Sequence, residues 1–106
     1  MLTLPIDVAA NTPDPLHGPV AGDIFAITRM DGMKSAVPLY VYSGDQEFWI
    51  PAWGARNYFA QQCALGATAV YRDVLGEHLI AAVLGYPEAV AWVDQRLQGI
   101  PARNEC

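Results

Sequence analysis

The chain has 106 residues, enough for one domain at most, and it is 53% hydrophobic but only 16% charged. A net charge of −5 and six scattered Lys and Arg residues argue against nucleic-acid binding, because phosphate binding needs clustered cations. No apolar run approaches the roughly 20 residues of a membrane span, and residues 1–15 lack a basic stretch followed by an apolar core, so we expect neither a transmembrane segment nor a signal peptide.

The first 36 residues read as an irregular lead-in segment. Prolines and glycines recur through them and interrupt any long element. A short helix fits Ala21–Met30, and Asp31-Gly32 is typical of a turn. His17 lies among these prolines and glycines, so we interpret it as a loop histidine with no catalytic role.

Residues 37–106 form the second predicted segment, which begins as a β-α-β unit. A strand is predicted at about 38–43, where a nearly continuous apolar run is typical of a parallel strand covered on both faces. Pro51 suits the start of a helix at about 52–65, in which Ala55, Phe59 and Cys63 recur on one side. Gly66 can end this helix in a left-handed conformation, and a second strand follows at about 68–73.

The remainder of the chain is predicted to be helical. His78–Leu84 reads as a short apolar turn ended by Gly85, and Pro87 begins a helix to about residue 98, with Val93 and Leu97 facing inward. The fold class is therefore α/β. Two parallel strands do not make a stable sheet by themselves, so we expect this unit to be the edge of a larger one.

Acidic residues and a histidine follow the two predicted strands. Asp45 and Glu47 come after the first strand and His78 after the second. The carboxyl ends of parallel strands lie on one rim of a sheet, so an acid and His78 could meet there as two members of a Ser–acid–His triad. A surface or helix-capping histidine is the alternative.

Other chemistry-bearing residues point to no further centre. The histidines and cysteines lack the short spacing of a metal site, and no glycine-rich phosphate loop is present, so we expect no metal or cofactor. The only serines, Ser35 and Ser43, stand outside a G-x-S-x-G nucleophile elbow. Cys63 and Cys106 could form one disulfide or remain two separate thiols.

Several spaced motifs recur together between residues 37 and 106. They are Gly44-x-x-Glu47-x-x-Ile50-Pro51, Gln62-Cys63-Ala64-x-Gly66-Ala67, Gly76-Glu77-His78-Leu79, Gly85-x-Pro87-x-Ala89-x-Ala91-Trp92 and a terminal Cys106. In this combination the segment resembles the C-terminal portion of the secretory lipase family of α/β-hydrolases. Residues 1–36 resemble that family only loosely, as the segment that leads out of its cap region.

The resemblance implies a role for each matching position. His78 falls at the family's catalytic base, and Glu47 falls at its acid, where the family ordinarily has Asp. A Glu can serve in such a triad, and Asp45 is the rival acid. Cys63 and Cys106 match cysteines expected to pair. The resemblance further implies a lipid or ester substrate and an extracellular location.

Three functions are compatible with these features. The first is the C-terminal part of a secretory lipase or esterase that supplies the acid and the His but is inactive without an upstream segment bearing the serine. The second is a lipase-derived binding domain that uses Phe48 and Trp49 as an exposed apolar patch, or that self-associates through apolar surface. The third is a small oligomeric hydrolase with Ser43 or a Cys as nucleophile. Trp92 is interpreted as a packing anchor in all three.

Overall fold

The computed structural model describes residues 14–30 and 32–106. Contacts between Cα atoms divide the chain into two units, Met1–Met30 and Asp31–Cys106, which are described separately. The boundary predicted between residues 36 and 37 stays a prediction. The part of the predicted lead-in segment before residue 14 lies outside the described residues, as does Asp31 of the predicted turn, whereas Gly32 has the positive φ of +85° that suits one.

The first unit contains one helical turn and one helix. A 3₁₀ helix spans Pro15–His17, and helix α1 spans Pro19–Thr28, beginning two residues before the predicted start. Pro19 stands in the first turn of α1, where N–H groups have no acceptor within the helix, so the lack of an N–H in proline costs no hydrogen bond. Within the described residues 14–30 and 32–106, no helix has the length and apolarity that a membrane crossing requires.

The second unit has two strands and two helices in the order β1, α2, β2, α3. They span Leu39–Gly44, Ala52–Ala64, Ala69–Val74 and His78–Leu97. The strands pair in parallel, with Leu39 opposite Ala69 and Gly44 opposite Val74. Both strands lie one residue later than predicted, and the predicted helix at 52–65 ends one residue earlier. The α/β fold class is thereby confirmed.

Helix α3 departs from its prediction. The proposed break at Gly85 and the proposed start at Pro87 are wrong, because one continuous helix of 20 residues runs through both. Gly85 is buried, and a Cβ atom there would lie 2.5 Å from Cε2 of Tyr42. The glycine therefore permits close packing of the helix on β1 and does not end it. The helix instead ends before Gly99, whose φ is +80°.

Close packing at Gly85 yields a stability prediction. Gly85→Ala should lower the free energy of unfolding by about 1–3 kcal/mol, because the new methyl overlaps the Tyr42 ring. Gly54→Ala is the matched control in α2, where nothing lies within 4 Å of the added Cβ, and it should stabilise by about 0.5–1 kcal/mol. Urea unfolding of both variants measures the difference. Equal effects would contradict this packing.

The inward face of α3 also differs from the prediction. Ala81 and Gly85 are buried and Trp92 contacts Tyr40 of β1, so these residues face the sheet. Val93 and Leu97, which were expected to be inward, are 50% and 82% exposed. The helix begins at His78 and not at Pro87, so Gly85 lies inside it. The close contact between Gly85 and Tyr42 then determines which side of the helix faces the sheet. Trp92 is a packing anchor, as predicted.

The two outer edges of the sheet are unlike each other. The C-terminal tail binds the outer edge of β2 at its first residue, where the Glu105 N–H donates to the Ala69 carbonyl at 2.9 Å and the Ala69 N–H donates to the Asn104 side chain at 3.3 Å. At the inner edge of β1, the Leu39 N–H donates to the carbonyl of Thr68 just before β2, and the N–H of Asp45, just after β1, donates to the Val74 carbonyl. By alternation, the N–H and C=O groups of Tyr40 and Tyr42 point away from β2. The outer edge of β1 could therefore accept a further strand, whereas the tail occupies the start of the outer edge of β2.

A buried glutamine fixes the segment that leads into β1. Gln62 has no exposed surface, donates through Nε2 to the Met33 carbonyl and accepts at Oε1 from the Ser35 N–H, both at 2.8 Å. A buried amide must satisfy its polar groups, so these bonds give Gln62 a structural role. This role of Gln62 is not predicted from the sequence, because the buried side of α2 was assigned from apolar residues alone.

Candidate active site

The turns that follow β1 and β2 are joined by hydrogen bonds. The Asp45 N–H donates to the Val74 carbonyl at 2.8 Å, and the Gln46 N–H donates to the Gly76 carbonyl at 3.1 Å. The Asp45 side chain accepts from the Gly76 N–H at 2.9 Å. Side chains just beyond each strand are thereby held on one rim of the sheet, as predicted from the parallel topology.

Gly44 and Gly76 permit this close approach. A Cβ atom at Gly44 would overlap the Gly76 carbonyl oxygen, and one at Gly76 would lie 2.6 Å from Cγ2 of Ile80. Gly76 also has a φ of +115°, which side chains rarely tolerate. The two glycines thus bring the end of β1 against the first turn of α3.

Glu47 and His78 form the central pair of the site. Oε2 of Glu47 lies 2.8 Å from Nδ1 of His78, and the two side chains are 7% and 35% exposed. The other carboxylate oxygen, Oε1, accepts from the N–H groups of Trp49 at 2.9 Å and Ile50 at 3.1 Å. Both oxygens are therefore engaged, and the carboxylate is fixed against the imidazole.

The surroundings of Glu47 favour its charged form. Desolvation alone would raise the pKa of this carboxyl, but hydrogen bonds from the Ile50 N–H, the His78 ring and the Trp49 N–H outweigh it. The pKa of Glu47 therefore lies below its ordinary value of 4.5. An ionised acid beside the ring is what a histidine base needs as an orienting partner.

His78 is the first residue of α3, and its neighbour caps that helix. The Glu77 side chain accepts from the N–H groups of Leu79 at 3.1 Å and Ile80 at 2.8 Å. This N-cap satisfies two of the first amides of the helix and fixes where α3 begins. His78 is therefore anchored through its backbone as well as through Glu47.

Trp49 covers one face of the His78 ring. The ring centroids are 5.2 Å apart and the planes differ by 18°, a stacked arrangement, while Phe48 packs edge-on against Trp49 at 5.9 Å. The sequence predicts Phe48 and Trp49 to be an exposed apolar patch but does not predict the stacking of Trp49 on His78. Hydrophobicity marked these residues, whereas their contact with His78 depends on the turn between Gly44 and Pro51.

The structure separates the two candidate acids by their contacts. Glu47 contacts His78, whereas Asp45 accepts from the Gly76 backbone and contributes to the turn. No hydrogen bond among the described residues uses Nε2 of His78 or joins His78 to Ser35 or Ser43. Ser35 instead donates through Oγ to the Val37 carbonyl at 2.8 Å.

The remaining histidine and the two cysteines each have a partner other than Glu47 or His78. His17 is exposed in the 3₁₀ turn and pairs with Asp14 at 2.7 Å. Cys63 and Cys106 form a disulfide with their Cα atoms 5.3 Å apart. Within the described ranges, no group of three or more His, Cys, Asp or Glu side chains is placed to hold a metal ion.

A cavity of about 320 Å³ lies between the sheet, α3 and the C-terminal tail, away from the Glu47–His78 pair. Arg72 lines it and is paired with Glu88 at 3.1 Å and with Glu105 at 2.6 Å. These ion pairs join β2, α3 and the tail. We therefore interpret the residues that line the cavity as stabilising the fold and not as a binding site.

Comparison with known proteins identifies the family. The family model described as "Secretory lipase" matches residues 3–105. The chain belongs to the secretory lipase family. Among its relatives, Lipase A of Arthroderma benhamiae is 49% identical over 45 residues, which are 42% of this chain and 10% of Lipase A. Lipase 10 of Candida albicans is 32% identical over 72 residues, 66% of this chain and 16% of Lipase 10.

These two lipases are much longer than the region they share with this secretory lipase chain. The chain spans only about a tenth to a sixth of their length. No solved structure matches the chain at a significant level. The activity of a whole lipase is therefore considered as a proposal below.

Proposed function

We propose that this chain is the C-terminal part of a secretory triacylglycerol lipase or esterase and that it supplies the acid and the base of a Ser–His–Glu triad. The observation that carries the proposal is the 2.8 Å contact between Oε2 of Glu47 and Nδ1 of His78, made where two parallel strands end. Family membership supports the ester-hydrolase chemistry.

Each residue of the pair has a defined task in this mechanism. His78 accepts the serine proton at Nε2 as the hydroxyl attacks the ester carbonyl, and later gives that proton to the leaving alkoxide. Glu47 accepts from Nδ1–H, which keeps Nε2 free as the base and stabilises the imidazolium. Trp49 restrains the ring plane by stacking on it. Asp45 positions the turn and does not take part in proton transfer.

The nucleophile and the oxyanion-hole groups are proposed to come from an upstream hydrolase segment. The 106-residue sequence contains no G-x-S-x-G, the elbow that carries the serine in such enzymes. The outer edge of β1 supports this proposal, since no strand among the described residues 14–30 and 32–106 pairs with it and a parallel sheet could continue there. The upstream segment then supplies attack and transition-state stabilisation. Membership of the secretory lipase family supports an extracellular location for the protein.

Ester hydrolysis with and without an upstream segment tests this function. The chain alone should hydrolyse p-nitrophenyl esters no faster than its His78→Ala variant. Mixing or co-expression with a secretory lipase segment that carries G-x-S-x-G should produce turnover that requires His78. Turnover by the chain alone that disappears in Ser43→Ala would contradict the proposal and favour an oligomeric hydrolase.

A lipase-derived binding domain is the second candidate. Phe48 and Trp49 are exposed aromatic residues next to the pair, and their edge-on packing presents one apolar surface. A well-folded chain that binds a lipid or ester analogue, but stays inactive with every upstream segment tested, would favour this second function over the first.

A further inference from the structure

Trp49 contacts the Glu47–His78 pair in two ways. Its indole stacks on one face of the His78 ring, with the ring centroids 5.2 Å apart and the planes 18° apart. Its backbone N–H donates to Oε1 of Glu47 at 2.9 Å, while Oε2 of that carboxylate lies 2.8 Å from Nδ1 of His78. The acid that binds the edge of the imidazole therefore also holds the residue whose indole covers the face.

The stacked indole leaves the Nε2 edge of the imidazole accessible. Trp49 approaches the ring from one face, whereas both ring nitrogens make their hydrogen bonds in the ring plane. No hydrogen bond among the described residues 14–30 and 32–106 uses Nε2, and the His78 side chain is 35% exposed. A proton donor can thus reach Nε2 in the plane while Trp49 stays in place.

We infer that Trp49 is a positioning residue whose indole face stabilises the positively charged form of the His78 ring. The face of an indole carries the negative part of its quadrupole, and it attracts a cation that lies within about 6 Å of the ring centroid. Among aromatic side chains, tryptophan makes this interaction best. A protonated imidazole at the observed 5.2 Å meets the condition. Besides restraining the ring plane, the indole therefore favours the charged ring over the neutral one.

The charged ring is the form that the proposed reaction produces, and in this respect the inference rests on the proposed function. When the serine hydroxyl attacks, its proton moves to Nε2 and the neutral imidazole becomes an imidazolium beside the Glu47 carboxylate. The proton later leaves with the alkoxide of the ester. Glu47 stabilises the positive charge in the ring plane and Trp49 stabilises it from one face. Because this attraction grows as the charge forms, it lowers the barrier to serine attack.

The neighbouring side chains do not duplicate this contact. Phe48 packs edge-on against Trp49 at 5.9 Å, and in the described part of the chain it makes no ring contact with His78. The carboxylates of Asp45 and Glu77 accept from backbone N–H groups instead of the imidazole. A substitution of Phe48 therefore changes the apolar surroundings of the site without removing the stacked face.

Nitrogen-15 NMR of His78 in the full chain measures how tightly the ring holds its proton. Trp49→Leu keeps an apolar side chain but removes the aromatic face, so it should weaken proton binding by about two- to fivefold, the scale of a cation–π contact at a partly exposed site. Trp49→Phe should retain part of the effect. Phe48→Leu is the matched control, since Phe48 is 70% and Trp49 58% exposed. Equal effects of Trp49→Leu and Phe48→Leu, or no effect of either, would overturn the inference.

Progressive fluorination of the indole at position 49 separates charge from shape. Fluorine withdraws electron density from the aromatic face and leaves the outline of the side chain almost unchanged. Proton binding by His78 should therefore weaken stepwise as fluorines are added. Apolar packing by itself would give no such trend, so a protonation constant that is indifferent to fluorination would overturn the inference.

An enzyme reconstituted with an upstream segment that carries G-x-S-x-G supplies the catalytic readout. Trp49→Leu should lower kcat by about two- to fivefold with little change in KM, and Trp49→Phe should be intermediate. A raised KM at constant kcat would show that the indole binds substrate and would overturn the assigned role. The NMR measurements need no turnover, so their failure would reject this inference alone. An inactive reconstituted enzyme with the fluorination trend intact would reject the proposed function alone.

Discussion

Glu47→Gln is expected to lower kcat by about 10³–10⁴-fold in an enzyme reconstituted from this chain and an upstream lipase segment bearing G-x-S-x-G. The amide keeps the size of the carboxylate but can present its NH₂ to Nδ1 of His78, which favours the wrong imidazole tautomer. It also removes the charge that stabilises the imidazolium during serine attack. Steady-state hydrolysis of a p-nitrophenyl ester measures the loss.

Asp45→Asn is the matched control for that experiment. Asn keeps a side-chain oxygen that can accept from the Gly76 N–H, so the turn should persist and kcat should change by less than about tenfold. The opposite order, with Asp45→Asn far more damaging than Glu47→Gln, would show that the acid has been assigned to the wrong residue. Equal small effects would show that neither carboxylate serves the base.

Loss of the Cys63–Cys106 disulfide is expected to destabilise the chain by about 2–4 kcal/mol. The bond joins residues 43 apart in sequence and encloses β2 and α3, so it restricts the unfolded state strongly. It also holds the tail against β2, where Glu105 pairs with Arg72. Urea unfolding of Cys63→Ser/Cys106→Ser, compared with the oxidised parent, measures the change.

Reduction of the parent provides the control for the double variant. A reducing agent should lower the parent's unfolding midpoint to that of the double variant and leave the double variant unchanged. Sensitivity of the double variant to the reducing agent, or a loss under about 0.5 kcal/mol, would contradict a stabilising cross-link.

The β-α-β part of the fold was predictable because local signals agree there. The apolar runs at β1 and β2, Pro51 at the start of α2 and Gly66 at its end all favour the same arrangement, and the observed bounds differ by one residue. A parallel pair then brings its two following turns together. The proximity of His78 to an acid could therefore be expected before any contact was seen.

Helix α3 was mispredicted because local signals and tertiary packing disagree. Gly85 and Pro87 are ordinarily helix-ending residues, yet Gly85 is selected by its contact with Tyr42. The rotation of the helix followed from that contact, which turned Val93 and Leu97 outward. Residue spacing could likewise not decide whether Glu47 or Asp45 is the acid. That choice depends on which carboxylate the turn directs at His78.

Nitrogen-15 NMR of His78 in the isolated chain tests the acid–base pair most directly. In mildly alkaline buffer we predict the Nδ1–H tautomer, with its proton shifted downfield by the hydrogen bond to Glu47. This signal should be lost in Glu47→Gln and kept in Asp45→Asn. A neutral ring protonated at Nε2, or an Nδ1–H signal that is indifferent to Glu47→Gln, would contradict the dyad.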